Sequence, residues 1–273
     1  MILRHLQFFL LCIVAVGLFL GITQCAPASA PPSGQLRSLT SLASKLSPPQ
    51  DAHYILRGEN VRAFSSLRKH TVGLFDKKRQ TICTAVVINS RHLITAAHCV
   101  LGAITNHFVF FDTTFRSDSP FDRLKNVIIH PDYDPIAPHN RSDLALVEIA
   151  NPLPGDYNPI EVFEFMDVIG TGMPVWVVGF GYFQNQEPQG SGVLRWAIVD
   201  ITNPHYSTSE FSIDQFNGTG VCRGDSGGPA FIKTPDGLYL VGITSRGTPD
   251  CTQSIFTNGS TIKTFIDREL EPN

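Results

Sequence analysis

The chain has 273 residues, 42% of them hydrophobic and 16% charged, with a formal net charge of −3. Such a balance is that of an ordinary globular protein. It gives no reason to expect a nucleic-acid partner, which a basic face would announce.

In chain order, the first element is a leader. Arg4 and His5 precede an uninterrupted apolar run from Phe8 to Ile22, followed by small and polar residues, the layout of a secretory signal peptide. The run is shorter than the roughly 20 residues a membrane-spanning helix needs, so no membrane anchor is expected. Cleavage is expected between Cys25 and Ala30, making residues 1–25 the signal and the remaining protein secreted and extracellular. Residues 26–54 are rich in Pro, Ser and Ala with little apolar periodicity, and read as an exposed segment, either a linker or a propeptide. About 220 residues then remain, enough for two small barrels sharing one interface.

Those residues alternate short apolar runs with Gly and Pro turns. Strands are expected at 84–89, 92–95, 108–111, 127–129 and 144–149, then at 175–180, 194–201, 230–232 and 238–244. Lys77-Lys78-Arg79 reads as a solvated hairpin tip, and the proline-broken stretch Pro152–Pro159 as the start of a boundary between two halves, near 152–165. One helix is expected at the C-terminus, capped by Ser260, with Ile262, Phe265, Ile266 and Leu270 on one face. The fold class is therefore all-β, a sandwich or barrel with a terminal helix.

Of six cysteines, Cys12 and Cys25 fall in the leader, leaving Cys83, Cys99, Cys222 and Cys251. Four cysteines allow three connectivities, and an exported chain meets an oxidising compartment in which bridges persist. No CxxC or closely paired histidine spacing supports zinc, so no metal is expected. The acids Asp112, Asp118 and Asp122 lie in a loop with two open readings, a calcium site or hydrated surface carboxylates. Three sequons, at Asn140, Asn217 and Asn258, are candidate glycosylation sites, with Asn217 foremost.

Three segments carry chemistry. Leu93-Ile94-Thr95-Ala96-Ala97-His98-Cys99 supplies a histidine, Asn140-Arg141-Ser142-Asp143-Leu144-Ala145-Leu146-Val147 an acid leading into an apolar strand, and Val221-Cys222-Arg223-Gly224-Asp225-Ser226-Gly227-Gly228-Pro229 a small nucleophile among glycines. Each is weak alone; the set, in the order His, Asp, Ser, is not. From about Ile55 to the C-terminus the chain resembles the chymotrypsin/trypsin-like serine peptidase family.

The resemblance implies two six-stranded antiparallel β-barrels and a C-terminal helix. It implies a triad of His98, Asp143 and Ser226, with Gly224 and Ser226 supplying an oxyanion hole. It selects Cys83–Cys99 and Cys222–Cys251 as the bridges. Ile55-Leu56-Arg57-Gly58 looks like the family's mature N-terminus, which makes residues 26–54 a propeptide and 55–273 the peptidase domain. Cleavage of the Tyr54–Ile55 bond, by the protein itself or by a chymotrypsin-like relative, would free an amine on Ile55 to pair with Asp225. A cut after Arg57 is ranked lower, because Gly58 has no side chain to bury. Ile129-His130-Pro131-Asp132-Tyr133 matches a family stretch before the acid, in which His130 is structural or solvated and not catalytic.

Where trypsin-like relatives carry an Asp six residues before the serine, this chain has Gly220, which disfavours cleavage after Lys or Arg. Gly247 and Ser254 are expected to wall a pocket for an apolar or aromatic side chain. Arg246 replaces an aromatic residue, and two readings stay open: it selects an acidic substrate residue or it faces solvent. Partners are then protein or peptide substrates and protease inhibitors; the chain is a monomer with no cofactor. The competing function is a non-catalytic homologue that binds a partner through the same fold. An α/β-hydrolase is excluded, since its G-x-S-x-G elbow and Ser, Asp, His order are both missing.

Overall fold

The computed structural model describes residues 58–62, 65–116, 118–181 and 191–270. The proposed leader, the segment 26–54 and Ile55 lie outside the described residues.

The chain opens with the two-residue strand β1 (Glu59–Asn60) and the helical turn α1 (Ser66–Lys69), which Ser65 caps by accepting from the Leu67 N–H. Six strands follow: β2 (Thr71–Asp76), β3 (Thr81–Val87), β4 (His92–Thr95), β5 (His107–Phe110), β6 (Phe121–Ile129) and β7 (Ala145–Ile149). They close as a barrel in the order β2-β3-β4-β7-β6-β5. The turn from β2 to β3 holds Lys77-Lys78-Arg79, as expected; Asp76 fixes it by accepting from the Lys78 and Arg79 N–H groups. Inside the barrel Val72, Leu74, Val87, Leu93, Val109 and Val147 pack with the Cys99 side chain.

The second half comprises β8 (Glu161–Val162), β9 (Pro174–Gly179), β10 (Arg195–Asp200), β11 (Asn203–Ser207), β12 (Glu210–Asp214), β13 (Pro229–Thr234), β14 (Gly237–Gly247) and β15 (Gln253–Asn258). With β1 these form a nine-stranded sheet in the order β1-β10-β9-β13-β14-β15-β12-β11, with β8 beside β14. The ladders of this half leave the expected second barrel open on one side, between β10 and β12. The half curls round Val177, Ala197, Phe211, Ile213, Val241 and Phe256, and the N–H and hydroxyl of Thr202, between β10 and β11, donate to the Ser212 carbonyl of β12. Each extra strand satisfies an edge that would otherwise be open.

A third apolar cluster lies between the halves. Val86, Ile94, Phe110 and Leu144 of the first meet Phe180, Phe231 and Ile243 of the second and the terminal helix α2 (Gly259–Leu270). Phe110 and Phe180 stack edge to face at 4.8 Å, a favoured aromatic geometry. Ile262, Phe265 and Ile266 are the buried face of α2, as its periodicity predicts.

Two expectations change here. The cap of α2 is Asn258 rather than Ser260: its side-chain oxygen accepts from the Thr261 N–H and hydroxyl. Asn258 is 4% exposed and its amide nitrogen donates to the Thr208 carbonyl. That amide is a structural group with no room for a glycan. Asn140 and Asn217 are exposed.

Candidate active site

The three motif segments meet where the two halves face each other. His98 sits in a 3-10 turn, Ala97–Val100, that follows β4. Cys99 beside it is bridged to Cys83 on β3 (Sγ–Sγ 2.00 Å), which ties this turn to the barrel wall. Asp143 precedes β7, antiparallel partner of β4, so one pair of strands carries both residues to the same end of the barrel.

The His98 imidazole Nδ1 lies 2.8 Å from one Asp143 carboxylate oxygen, and the His98 backbone N–H donates to the other at 3.1 Å. The Ser245 hydroxyl donates to the same oxygen as Nδ1, at 2.8 Å. Asp143 is 3% exposed. Burial alone would push its carboxyl up, but the bonds from His98 and Ser245 hold it below the ordinary carboxylate range. An ionised carboxylate only accepts, so Nδ1 carries the proton and Nε2 presents a lone pair.

Ser226 lies in the loop between β12 and β13. Its backbone carbonyl accepts from the Thr84 N–H and touches the Cys99 sulfur at 3.6 Å, while the same sulfur lies 3.7 Å from His98 Nε2. The histidine edge and the serine thus meet across one sulfur atom. Among the described residues no hydrogen bond joins the Ser226 hydroxyl to His98. Nor do the N–H groups of Gly224 and Ser226 have a partner there, whereas those of Asp225, Gly227 and Gly228 do. Gly224 stands at φ +96°, and a Cβ on it would come within 2.8 Å of the Gly181 Cα. Only glycine fits the backbone at this position.

Asp225 is fully buried. Its two oxygens accept from the Gly181 and Cys222 N–H groups, each at 2.8 Å. Burial pushes its pKa up to about 7, against the pull of those bonds and of the nearby Arg195 guanidinium.

Beside Ser226 opens a cavity of about 240 Å³ lined by Val221, Cys222, Arg223, Thr244, Arg246, Gly247, Thr248, Pro249, Cys251 and Ser254. Gly247 and Ser254 stand in the wall as expected. Gly220 does not; the side chain of buried Gln215 fills the space beside it, and its amide bonds the Val221 N–H, Val221 carbonyl and Cys251 carbonyl. The Cys222–Cys251 bridge (Sγ–Sγ 1.94 Å) joins two of the walls.

Arg246 neither faces solvent nor offers a free charge to the cleft. Its guanidinium grips both oxygens of Glu210, which is 0% exposed, and donates to the Pro138 carbonyl at 2.8 Å. Burial would raise the Glu210 carboxyl; Arg246, the Asn140 N–H and the Ser207 hydroxyl hold it down instead. No sequence signal marks the bonds of Gln215 to Cys251, of Ser245 to Asp143 or of Glu210 to Arg246, because the partners are distant along the chain.

Other candidates do not gather. Asp112 and Asp118 bond Arg116, Asp122 bonds Asn151, and His130 packs on Phe265. Among the described residues the metal-type cluster is Cys83, His98 and Cys99, whose sulfurs are already joined to each other.

An all-β chain of two facing halves, with histidine, aspartate and serine at their junction, has the architecture of a serine protease. The family profile described as Trypsin matches residues 55–266. The chain is 32% identical over 202 residues to "Serine protease filzig" of Drosophila melanogaster, covering 64% of this chain and 11% of that protein. It is 29% identical over 195 residues to "Phenoloxidase-activating enzyme 1" of Spodoptera litura (60% of this chain, 52% of that one), and 26% identical over 193 residues to "Ovochymase" of Halocynthia roretzi (66% and 12%). The chain thus spans little more than half of one relative and about a tenth of the others. It belongs to the trypsin family.

Proposed function

We propose that the protein is a secreted serine endopeptidase that cleaves peptide bonds through an acyl-enzyme. The observation that carries this reading is the bond from Asp143 to His98 Nδ1, which leaves Nε2 as the base on the side of Ser226. Nε2 takes the proton of the Ser226 hydroxyl as its oxygen attacks the substrate carbonyl. The resulting oxyanion sits against the free N–H groups of Gly224 and Ser226, a contribution of about 2.7–4 kcal/mol per donor. The imidazolium, stabilised by Asp143, returns the proton to the leaving amine; water then enters by the same steps and frees the acid.

The pocket takes an apolar or aromatic side chain. No residue of its lining carries a carboxylate, and two carry guanidinium groups, so Lys and Arg find no partner. The chain is made with a signal peptide (1–25) and a propeptide (26–54), and is activated by cleavage at Tyr54–Ile55, which supplies Asp225 with an amine. Residues 55–273 are the peptidase domain, and Asn217 carries a glycan. No helix among the described residues is long and apolar enough to cross a membrane.

The second reading, a non-catalytic homologue, is favoured by one observation: the Ser226 hydroxyl does not bond His98. Such bonds are often long without substrate and tighten on binding, and the oriented His98 and the free N–H pair outweigh it. Titration of the processed chain with a serine-directed phosphonate decides. One label per chain on the wild type and none on Ser226→Ala is expected; an unlabelled wild type overturns the proposal.

A further inference from the structure

The site just described holds a charged pair that its chemistry does not use. Arg246 lines the cavity beside Ser226, yet its guanidinium is turned to Glu210, a residue outside the cavity lining. The pair is assembled across the sheet. A register irregularity in β14 between Thr244 and Arg246 separates neighbouring side chains: Ser245 bonds Asp143, and Arg246 crosses to β12, beyond β15. Bulges often re-aim side chains beside active sites.

Three of the five N–H groups of Arg246 are engaged, two on Glu210 and one on the Pro138 carbonyl. Glu210 also accepts from the Asn140 N–H at 2.9 Å and the Ser207 hydroxyl at 3.0 Å. One buried carboxylate therefore fixes the guanidinium, the loop that leads to Asp143 and the β11–β12 hairpin. A bidentate guanidinium–carboxylate pair is planar and tightly held, and in this setting the positive charge is cancelled from behind. Arg223, the other cation of the lining, is exposed and has no ion pair among the described residues.

We infer that Glu210 is a specificity-determining residue: by neutralising Arg246 it makes the cleft position beside the pocket accept uncharged substrate side chains, and without it that position selects acidic ones. This rests on the proposed peptidase reading. It defines the substrate class as chains with an apolar or aromatic residue in the pocket and an uncharged residue upstream against Arg246. Glu210 touches no substrate; it acts through Arg246, as a positioning residue.

The test compares peptides that share the pocket residue and carry Asp, Asn or Lys at each upstream position in turn. kcat/KM is measured with the processed wild type, Glu210→Gln, and the double variant Glu210→Gln/Arg246→Gln. Arg223 is present in all three and cancels in the comparison. At one upstream position Glu210→Gln should gain about tenfold in its Asp-over-Asn ratio relative to wild type, the effect of one freed guanidinium on a carboxylate. The double variant, with neither charge buried, should return to the wild-type ratio within about threefold, and it keeps the test open if the single variant does not fold. If Glu210→Gln shows the wild-type ratio at every position, or the double variant loses an acid preference that the wild type has, the inference is overturned while the peptidase reading stands. If the processed wild type hydrolyses none of the peptides and takes no phosphonate, the peptidase reading falls and this inference with it.

Discussion

Asp143 is served by three protein donors: the His98 ring, the His98 backbone N–H and the Ser245 hydroxyl. A carboxylate held below its ordinary pKa contributes stability that is present above the unfolded value and is lost as pH falls through the folded value. Ser245→Ala removes one donor, so Asp143 protonates at a higher pH and acid unfolding begins earlier. The expected cost at neutral pH is about 1–3 kcal/mol, read from denaturant midpoints at pH 7 and from the acid-unfolding midpoint. Asp143→Asn, which reverses the tautomer of His98, should lower kcat by about 10⁴-fold, measured by single-turnover hydrolysis. At residue 220 the expected outcome runs against a simple reading of family pockets. A Cβ on Gly220 would fall 2.1 Å from the Gln215 side chain, at φ +147°. Gly220→Asp should therefore lower the melting temperature without creating cleavage after Lys or Arg, checked by calorimetry and by assay of Arg and Lys peptides.

Among the elements, legibility follows range. His98, Asp143 and Ser226 are readable because each sits in a short local pattern, and their order does the rest. The strands β7, β9 and β13 are readable from their apolar runs. β12 and β15 are not. Glu210-Phe211-Ser212-Ile213-Asp214 and Gln253-Ser254-Ile255-Phe256-Thr257-Asn258 mix polar residues with apolar ones, and of the polar ones Glu210, Ser212, Ser254, Thr257 and Asn258 are buried where the two strands pair with each other and with β14. β15 has no period of two; β12 alternates, but over only five residues, three of them polar. Nor can Glu210 and Gln215, whose bonds to Arg246 and Cys251 form only in the fold, be picked out along the chain. The Cys222–Cys251 bridge closes a loop of 29 residues that contains β13 and β14. Replacing both cysteines by Ala should cost about 3–4 kcal/mol and should weaken substrate binding more than the loss of Cys83–Cys99 does, since it spans the pocket wall. Parallel chemical denaturation and KM measurements on the two double-alanine variants test this order.

For the whole molecule the sensitive charge is Asp225. Its folded pKa is raised by burial to about 7, above the unfolded value of about 3.9. The folded chain then binds the proton more tightly, and between these two values the uncleaved protein should lose stability as pH rises. Asp225→Asn should flatten that slope, and so should cleavage before Ile55, because an amine beside the carboxylate favours its ionised form and folding then takes up no proton in this range. Melting temperatures of the three proteins across pH 4 to 8 give the signs directly; a slope unchanged by Asp225→Asn would exclude this carboxylate as its source.

The apolar cluster between the halves has a mechanical consequence. Both disulfides close within one half, Cys83–Cys99 in the first and Cys222–Cys251 in the second, so in the described chain only backbone joins barrel to sheet covalently: the run from β1 to β2 and the stretch near residues 150–160. Yet Phe110, Leu144, Phe180, Phe231 and Phe265 are sealed against one another across that seam. A nick in the connecting stretch should leave two pieces that travel as one particle and melt in a single cooperative step.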